Sequence, residues 1–328
     1  MSPSPSSSLT TLRPDLSASL MEFDLAANQA NFIGTQVMPV IDVASKKGTF
    51  GKIPIEQLLQ SRDTERAPGS GYNRGQFTFS KASYDCVEHG AEEPVDDSEA
   101  EMYAEYFDAE VIAAQRAQHA VLLNHEIRVA AALFGNTTLT GAATSVTNEW
   151  DDATNATPVD DVKARVHAIW DATGLWSNGL VINHKVFDNL RHSDQVRDRI
   201  ASSGAGDPTK ARDITIAMLQ AVFDLDYIMV GGGAKNTAAE GQSASVSEIW
   251  SGEYAAVGRF IPPGNRDPRF PGFGRTFHWG GDGSSPGTIV ESYRDEPVRS
   301  NVIRARNHVD EVTLYLECVQ LLDNITTT

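Results

Sequence analysis

The sequence predicts an α+β fold, and three observations carry that prediction. Residues 98–134 contain neither Pro nor Gly, and Tyr103, Phe107, Val111, Ala114, Val121, Val129 and Leu133 recur on roughly one face of a helix. Two strand-like runs, 49–55 and 76–87, flank a polar stretch of about twenty residues, the pattern of a long hairpin. The chain then closes through further strand-like segments at 290–294, 302–306 and 312–322. Helices and strands thus come in blocks, which excludes a repeating βαβ wheel.

Residues 1–17 are rich in Ser and Pro and read as an extended arm; they have neither the basic start nor the apolar stretch of a secretory signal. Leu20, Phe23, Ala27 and Ala30 then mark a short amphipathic helix ending near Gly34. A strand follows over 37–43, interrupted by Pro39, and Lys46, Lys47 and Gly48 supply a turn. In the run 76–87, Phe77 and Phe79 share one face. The stretch it encloses with its partner, 57–75, holds Arg62, Asp63, Glu65, Arg66 and Arg74 with Pro68, Gly69 and Gly71. Loops of this length in compact domains are usually functional or disordered. We read it as a projecting hairpin arm whose charged tip suits a neighbouring molecule's surface, making those five residues candidate inter-subunit contacts.

The helix over 98–134 is expected to start at a capping box, Ser98 with Glu101, with Asp96 and Asp97 complementing the helix dipole, and to stop at Gly135 and Asn136. Unbroken, it would be about 55 Å long. A globule of this chain length has a radius of gyration of only about 20 Å, so the helix implies a flat or elongated plate built along it. Beyond a Thr/Ala/Gly/Asn-rich connection, Thr157, Pro158 and Asp160 open a helix carrying Val162, Val166, Ile169 and Trp170 that stops at Gly174. A short strand at 180–182, helical turns through Phe187, Leu190, Val196 and Ile200, and a loop over 202–212 come next. A helix over 214–223 runs into an apolar strand at 225–230, which ends in Gly231, Gly232 and Gly233. After a strand at 254–260, residues 261–287 are so rich in Pro, Gly, Arg and aromatics that they read largely as loop.

Composition narrows the function classes. The 328 residues are 41% hydrophobic, enough for one large or two modest cores. No run approaches the eighteen or so apolar residues that span a membrane, and two cysteines, Cys86 and Cys318, cannot build a disulfide framework. A formal charge of -17 argues against gripping a phosphate backbone, which needs clustered Lys and Arg.

Chemically suggestive patterns favour structural readings. The run from Gly231 to Thr237 lacks the G-x-x-x-x-G-K-[ST] spacing of a phosphate loop. His184 with His192, and His119 with His125, miss the i, i+4 spacing that puts two imidazoles on one metal. Asp151 with Asp152, and Asp160 with Asp161, lack a calcium-loop spacing. No nucleophile elbow is assigned, and no catalytic, cofactor-binding or metal-binding residue is expected. The segment with Arg259, Arg266, Arg269 and Arg275 interleaved with Phe260, Phe270, Phe273 and Phe277 could stack single strands. In so acidic a chain it is better read as docking on acidic surfaces of other copies, with Arg266, Arg269, Phe270 and Phe273 as further contact candidates.

These residues together resemble the major capsid protein of tailed phages with the Hong Kong 97-type shell fold. The local match is strongest at "ITIAMLQAVFDLDYIMVGGGAKNTAAEGQ" followed by "IWSGEY", and at the ending "VTLYLECVQLLDNI". The resemblance implies an N-terminal arm (1–44), an extended loop (45–93), a peripheral domain with a spine helix (94–156), an axial domain (157–288) and returning strands (289–328). It implies no enzyme and no cofactor, but a virion subunit, assembled in the host cytoplasm, whose pentamers and hexamers enclose double-stranded DNA without sequence-specific binding. Few residues precede the extended loop, as in members without a fused scaffolding segment, so a separate scaffolding protein is expected, with a portal and in some cases a decoration protein. Lys46, Lys47 and Lys52 lie near the loop, and some relatives form Lys–Asn crosslinks; no paired Asn and carboxylate can be matched here, so crosslinking is not expected. The alternatives are an encapsulin-like compartment of the same fold and, in another class, a metal-dependent hydrolase.

Overall fold

The described strands build two large sheets and two two-stranded ribbons (Lys47–Lys52 with Ser80–Asp85, and Ala234–Asn236 with Val246–Glu248), and one helix is shared between the large sheets. The computed structural model describes residues 11–12, 32–54, 57, 59–72, 74–75, 78, 80–103, 108–202, 213–239, 241–243, 245–267 and 270–327. In chain order the elements are β1 (Thr11–Leu12), α1 (Gly34–Val37), β2 (Val40–Val43), β3 (Lys47–Lys52), β4 (Ser80–Asp85), β5 (Val87–Asp96), α2 (Asp97–Tyr103), α3 (Ala109–Leu133), α4 (Thr137–Gly141) and β6 (Thr144–Ser145). The second half holds α5 (Pro158–Thr173), β7 (Gly179–Asn183), α6 (His184–His192), α7 (Asp194–Ser202), α8 (Ile216–Phe223), β8 (Tyr227–Gly231), β9 (Ala234–Asn236), β10 (Val246–Glu248), β11 (Ala255–Gly258), β12 (Gly274–Trp279), β13 (Ile289–Asp295), β14 (Ser300–Thr313) and β15 (Val319–Asp323).

The first sheet is organised on β14, which pairs antiparallel with β13, β5 and β12, while β2 joins β12 in parallel. The second has the order β6-β15-β11-β7-β8. One face of this second sheet is covered by α5 to α8: Val162, Val166 and Ile169, Val186 and Leu190, Val196 and Ile200, Leu219 and Phe223 form one core with Leu180, Ile182 and Val257. Its other face presents Val181, Met229, Ala256, Val319 and Leu321 to Val129, Ala130, Leu133 and Phe134, at the end of α3. The opposite half of α3 packs on the first sheet, Ala113 and Ala114 against Val95, Val290 and Ile303, and Ala117 and Val121 against Ala305. Alanine at this contact lets helix and sheet approach closely. A single helix therefore seats both layers.

The α+β class holds, but the helix is shorter than its sequence predicts. Asp108 has an extended backbone (φ -83°, ψ 108°) and its carboxylate accepts from the N–H groups of Glu110 and Val111 at 3.0 and 3.4 Å, so α3 begins afresh there. With 25 residues it is about 37 Å long. Ser98 is not a cap, since its hydroxyl and N–H both donate to Asp96, which opens the separate helix α2. The absence of Pro and Gly marks what does not forbid a helix; an Asp satisfying two unpaired N–H groups still divides one. Phe107 and the predicted helix around Leu20, Phe23, Ala27 and Ala30 lie outside the described residues, as do Phe77 and Phe79.

Three further differences follow from tertiary pairing. The run predicted over 76–87 is two strands broken at Cys86, and β5 extends to Asp96 through Pro94. β14 is the neighbour that β5 pairs with, so an edge strand tolerates the missing N–H. The segment 261–287, read as loop, contains β12, fully buried at Arg275 (1% exposed) and Thr276 (0%). Residues 300–313 are one continuous strand, not two. By contrast Gly174 ends α5 as predicted, in the left-handed conformation (φ 68°). The Asp108 cap yields a direct expectation. D108A costs about 1 kcal/mol in chemical denaturation, whereas a single helix running from Ser98 would leave D108A neutral.

Candidate assembly surfaces and the hub that positions them

The predicted arm forms as a two-stranded ribbon. β3 and β4 pair antiparallel from Lys47 opposite Asp85 to Lys52 opposite Ser80, and Lys47 and Asp85 form an ion pair at 2.6 Å. The ribbon is attached to the first sheet by aromatics: the Tyr84 ring stacks on Phe277 with centroids 4.7 Å apart, and Phe50 leans on the same ring at 5.7 Å. Gly48 makes this possible, because a Cβ there would lie 2.5 Å from the Tyr84 hydroxyl.

Beyond the ribbon, the described residues of 59–75 are exposed except Arg62, which is half-buried. The Arg66 guanidinium sits over the Tyr72 ring at 4.7 Å and its Nε donates to the Ser70 carbonyl at 2.7 Å. Asp63 accepts from the Glu65 N–H at 3.0 Å. Arg62 crosses to Gly75, where a side chain would overlap its guanidinium. Arg74 is exposed. Tyr72 and Leu59 are 75% and 59% exposed, and Leu59 lies beside the C-terminal cap of α5 at Gly174. Contacts within the arm thus order part of it, while Glu65, Arg66, Tyr72 and Arg74 stay exposed.

The second group of candidates does not hold together as a surface. Arg266 is exposed and Phe270 is half-buried beneath the Arg259 guanidinium, 4.9 Å from its ring. Phe273, however, is 0% exposed and belongs to the core under α3, edge-on to Phe260 at 6.3 Å. Its N–H donates to the Arg259 carbonyl, just past β11 of the second sheet, and its carbonyl accepts from the Leu314 N–H, just past β14 of the first. Arg275 is turned inward too, donating to the carbonyls of Asn265 and Asp267. The aromatics that suggested stacking therefore serve the fold. Arg269 lies outside the described residues.

What positions the N-terminal segment and the second sheet is a buried polar hub on α3. Glu126, 1% exposed, accepts from the N–H groups of Ile33 (2.8 Å) and Gly34 (2.7 Å) and from the Trp250 indole (2.6 Å). Burial raises its pKa, against the lowering pull of those three donors. Two glycines make room: a Cβ on Gly34 would lie 2.6 Å from Glu126 Oε2, and one on Gly231 would lie 2.4 Å from Trp250 Cδ1. Gly231 thereby has its packing explanation, in line with the structural reading of the glycine run. Beside it, His125 faces Thr276 and Glu311, and Glu311 holds Arg128 through two hydrogen bonds of 2.9 Å. Burial pushes the His125 pKa down to about 4, so it is neutral at pH 7. Nothing in the apolar periodicity of α3 foretold that Gln118, His125 and Glu126 would be buried.

The remaining candidates are local structure. His119 stacks on Phe32, and His192 bonds the Asp188 carbonyl one turn away. Asp152 orders the turn to Asn155, Asp160 accepts from Gln195, and Asp161 accepts from the Trp150 indole. Both cysteines are buried, and burial pushes their thiols up to about 11. Among the described residues no group of three or more His, Cys, Asp or Glu is placed to hold a metal, and no helix is long and apolar enough to cross a membrane. One pattern was passed over in the sequence: Gly283-Ser284-Ser285-Pro286-Gly287 has the G-x-S-x-G spacing, though it links two strands and not a strand to a helix.

Two layers on a shared spine helix, with a ribbon arm projecting from one of them, are the Hong Kong 97-type phage capsid fold. The chain is similar over 96% of its length, with a TM-score of 0.66 and 21% identity, to a phage-related protein from Bordetella bronchiseptica RB50, 98% of which is covered. It is similar over 88% of its length, at a TM-score of 0.57 and 13% identity, to the capsid of cyanophage P-SCSP1u, 86% of that chain being covered. By sequence it is 28% identical over 217 residues to the major capsid protein of Burkholderia phage BcepMu, spanning 65% of this chain and 67% of that protein. It is 22% identical over 259 residues, 78% of this chain and 80% of the relative, to the major capsid protein of Pseudomonas phage JBD67. No protein-family profile matches the sequence. The resemblance to tailed-phage major capsid proteins is borne out by these relatives.

The hub gives two measurable expectations. E126Q replaces an acceptor with a group that presents its own N–H to buried donors, and should cost about 3 kcal/mol of stability, read by denaturation. His125 has a folded pKa of about 4 against 6.5 unfolded, so its contribution is complete above pH 6.5 and is lost as pH falls toward 4. The pH dependence of unfolding in that window should flatten in H125Q, and an unchanged slope would place the titration elsewhere.

Proposed function

We propose that this chain is the major head subunit of a tailed phage, a structural protein whose copies close into an icosahedral shell around double-stranded DNA. The projecting ribbon carries the reading: it is anchored at its base by Tyr84 and Phe277, and beyond it Asp63, Glu65, Arg66 and Arg74 are exposed beside the half-buried Arg62. A lone subunit gains nothing from ordering such a tip, while a neighbouring copy lapped by it gains a charged and aromatic anchor. Many such moderate contacts per subunit, closed by symmetry into pentamers and hexamers, replace any one strong interface.

The acidic charge of the chain keeps the wall from adhering to the packaged genome. A separate scaffolding protein and a portal are the partners this role calls for, with a decoration protein in some shells of this kind, and the host cytoplasm is the place of assembly. An encapsulin-like compartment has the same fold and differs in its contents.

Electron microscopy with a nuclease-protection assay on purified particles tests the reading. Closed shells that protect DNA are expected; shells filled with a protein cargo and no nucleic acid would favour the compartment. Replacing Arg62, Arg66 and Arg74 together with Ala should leave a subunit of unchanged melting behaviour that sediments as small oligomers. Normal shells from that variant would remove the arm from assembly. DNA release from opened particles should be insensitive to moderate salt.

A further inference from the structure

A Ser, a His and an Asp come together at the edge of the first sheet, at the end of β12 beyond the Phe277 that anchors the arm. In the parallel pairing of β2 with β12, Asp42 stands directly opposite His278. The His278 Nδ1 lies 2.9 Å from Asp42 Oδ1, which fixes the ring and leaves Nε2 pointing the other way. The tight turn after β12, with Gly283 at φ 84° and its N–H bonded to the Gly280 carbonyl, folds the chain back so that Ser284 Oγ lies 3.4 Å from that Nε2. Gly280 permits the approach, since a Cβ there would be 3.2 Å from His278 Cε1. A cavity of about 570 Å³ opens on the group, lined by Asp42, His278, Gly280, Gly281 and Ser284.

From this geometry we infer that Ser284, His278 and Asp42 form a serine acyl-transfer centre for small carboxylic esters. Nucleophile, base and orienting carboxylate stand in the order such chemistry needs, with the looser Ser–His distance usual before substrate binds. At rest the Ser284 hydroxyl donates to Asp282 at 2.7 Å; rotation of its hydrogen alone, with the oxygen unmoved, redirects it to Nε2. Asp282 is itself held ionised by the Ser284 bonds and by Arg306, which outweigh the effect of burial. In the reaction Ser284 Oγ bonds to the ester carbonyl carbon as its proton passes to His278 Nε2. The ester C–O bond then breaks and the departing alcohol takes that proton. Water adds to the acyl-serine, giving a proton to Nε2, and expulsion of the carboxylic acid returns that proton to Ser284. Ser285, the central residue of the G-x-S-x-G spacing, is committed to the Thr288 carbonyl at 2.9 Å and is not the nucleophile. Ser284 and His278 are the catalytic residues and Asp42 is a positioning residue.

The test uses the purified full chain with p-nitrophenyl butyrate and, separately, a fluorophosphonate probe mapped by peptide mass spectrometry. One equivalent of p-nitrophenol per subunit is expected as a burst, with the probe on Ser284. S284A should abolish both, and H278Q should slow acylation by about 10²-fold or more. D42N alters a side chain that is 62% exposed, so it should fold normally while slowing acylation and shifting its pH profile. Absence of burst and label in the native protein, or wild-type rates in S284A, overturns the proposal. Shell assembly measured in the same samples is independent of either result.

Discussion

Three parts of the chain far apart in sequence meet on one carboxylate. Glu126 on α3 takes the backbone N–H groups of Ile33 and Gly34, at the start of α1, and the indole N–H of Trp250, which leads from β10 into β11. Each donor would otherwise be buried without a partner, at a cost comparable to the hydrogen bond itself. The three bonds also pin directions. They hold the N-terminal segment against the spine and bring the second sheet down on the end of α3, where Trp250 meets Phe134 edge-to-face at 5.4 Å. Only glycine at positions 34 and 231 lets the backbone come near enough.

Around that point the layers divide their tasks. The second sheet is covered by helices on one face and by the end of α3 on the other, so both faces are packed. The first sheet is where the chain reaches outward, through the ribbon and through the turn carrying Ser284. Its centre is held by a second polar network, in which Arg306 joins Glu291 to Asp282 and His308 lies 3.1 Å from Asp282. Charge pairs of this kind in a buried strand contribute little net stability but punish rearrangement, because separating them leaves an unpaired ion. A shell subunit needs that property: its plate must keep its shape while its arm adapts.

Much of this was legible in the residues. Gly174 at the end of α5, the apolar strands β7 and β8, and the polar stretch between two short strands each announced themselves through local chemistry that any neighbour would leave unchanged. Other elements were hidden because a partner decides them. β12 looked like loop since its Arg275 and His278 are polar, and they become core residues only when Asp267, Asn265 and Asp42 supply acceptors. Phe273 read as an exposed anchor for the same reason. The division of the long helix at Asp108 was misread, as an acidic residue serves equally on a helix surface and at its cap.

The sequence by itself determined the α+β class, the order of arm, spine and layered body, and the absence of a clustered basic charge, because these follow from periodicity, turn chemistry and charge count. It also carried the resemblance to phage head subunits, in patterns of apolar strand and glycine turn. The tertiary structure alone decided which polar residues go inside, where α3 starts, and that Asp42, His278 and Ser284 stand in line. Those outcomes depend on strand register and on pairing across more than two hundred residues of chain, which periodicity does not encode.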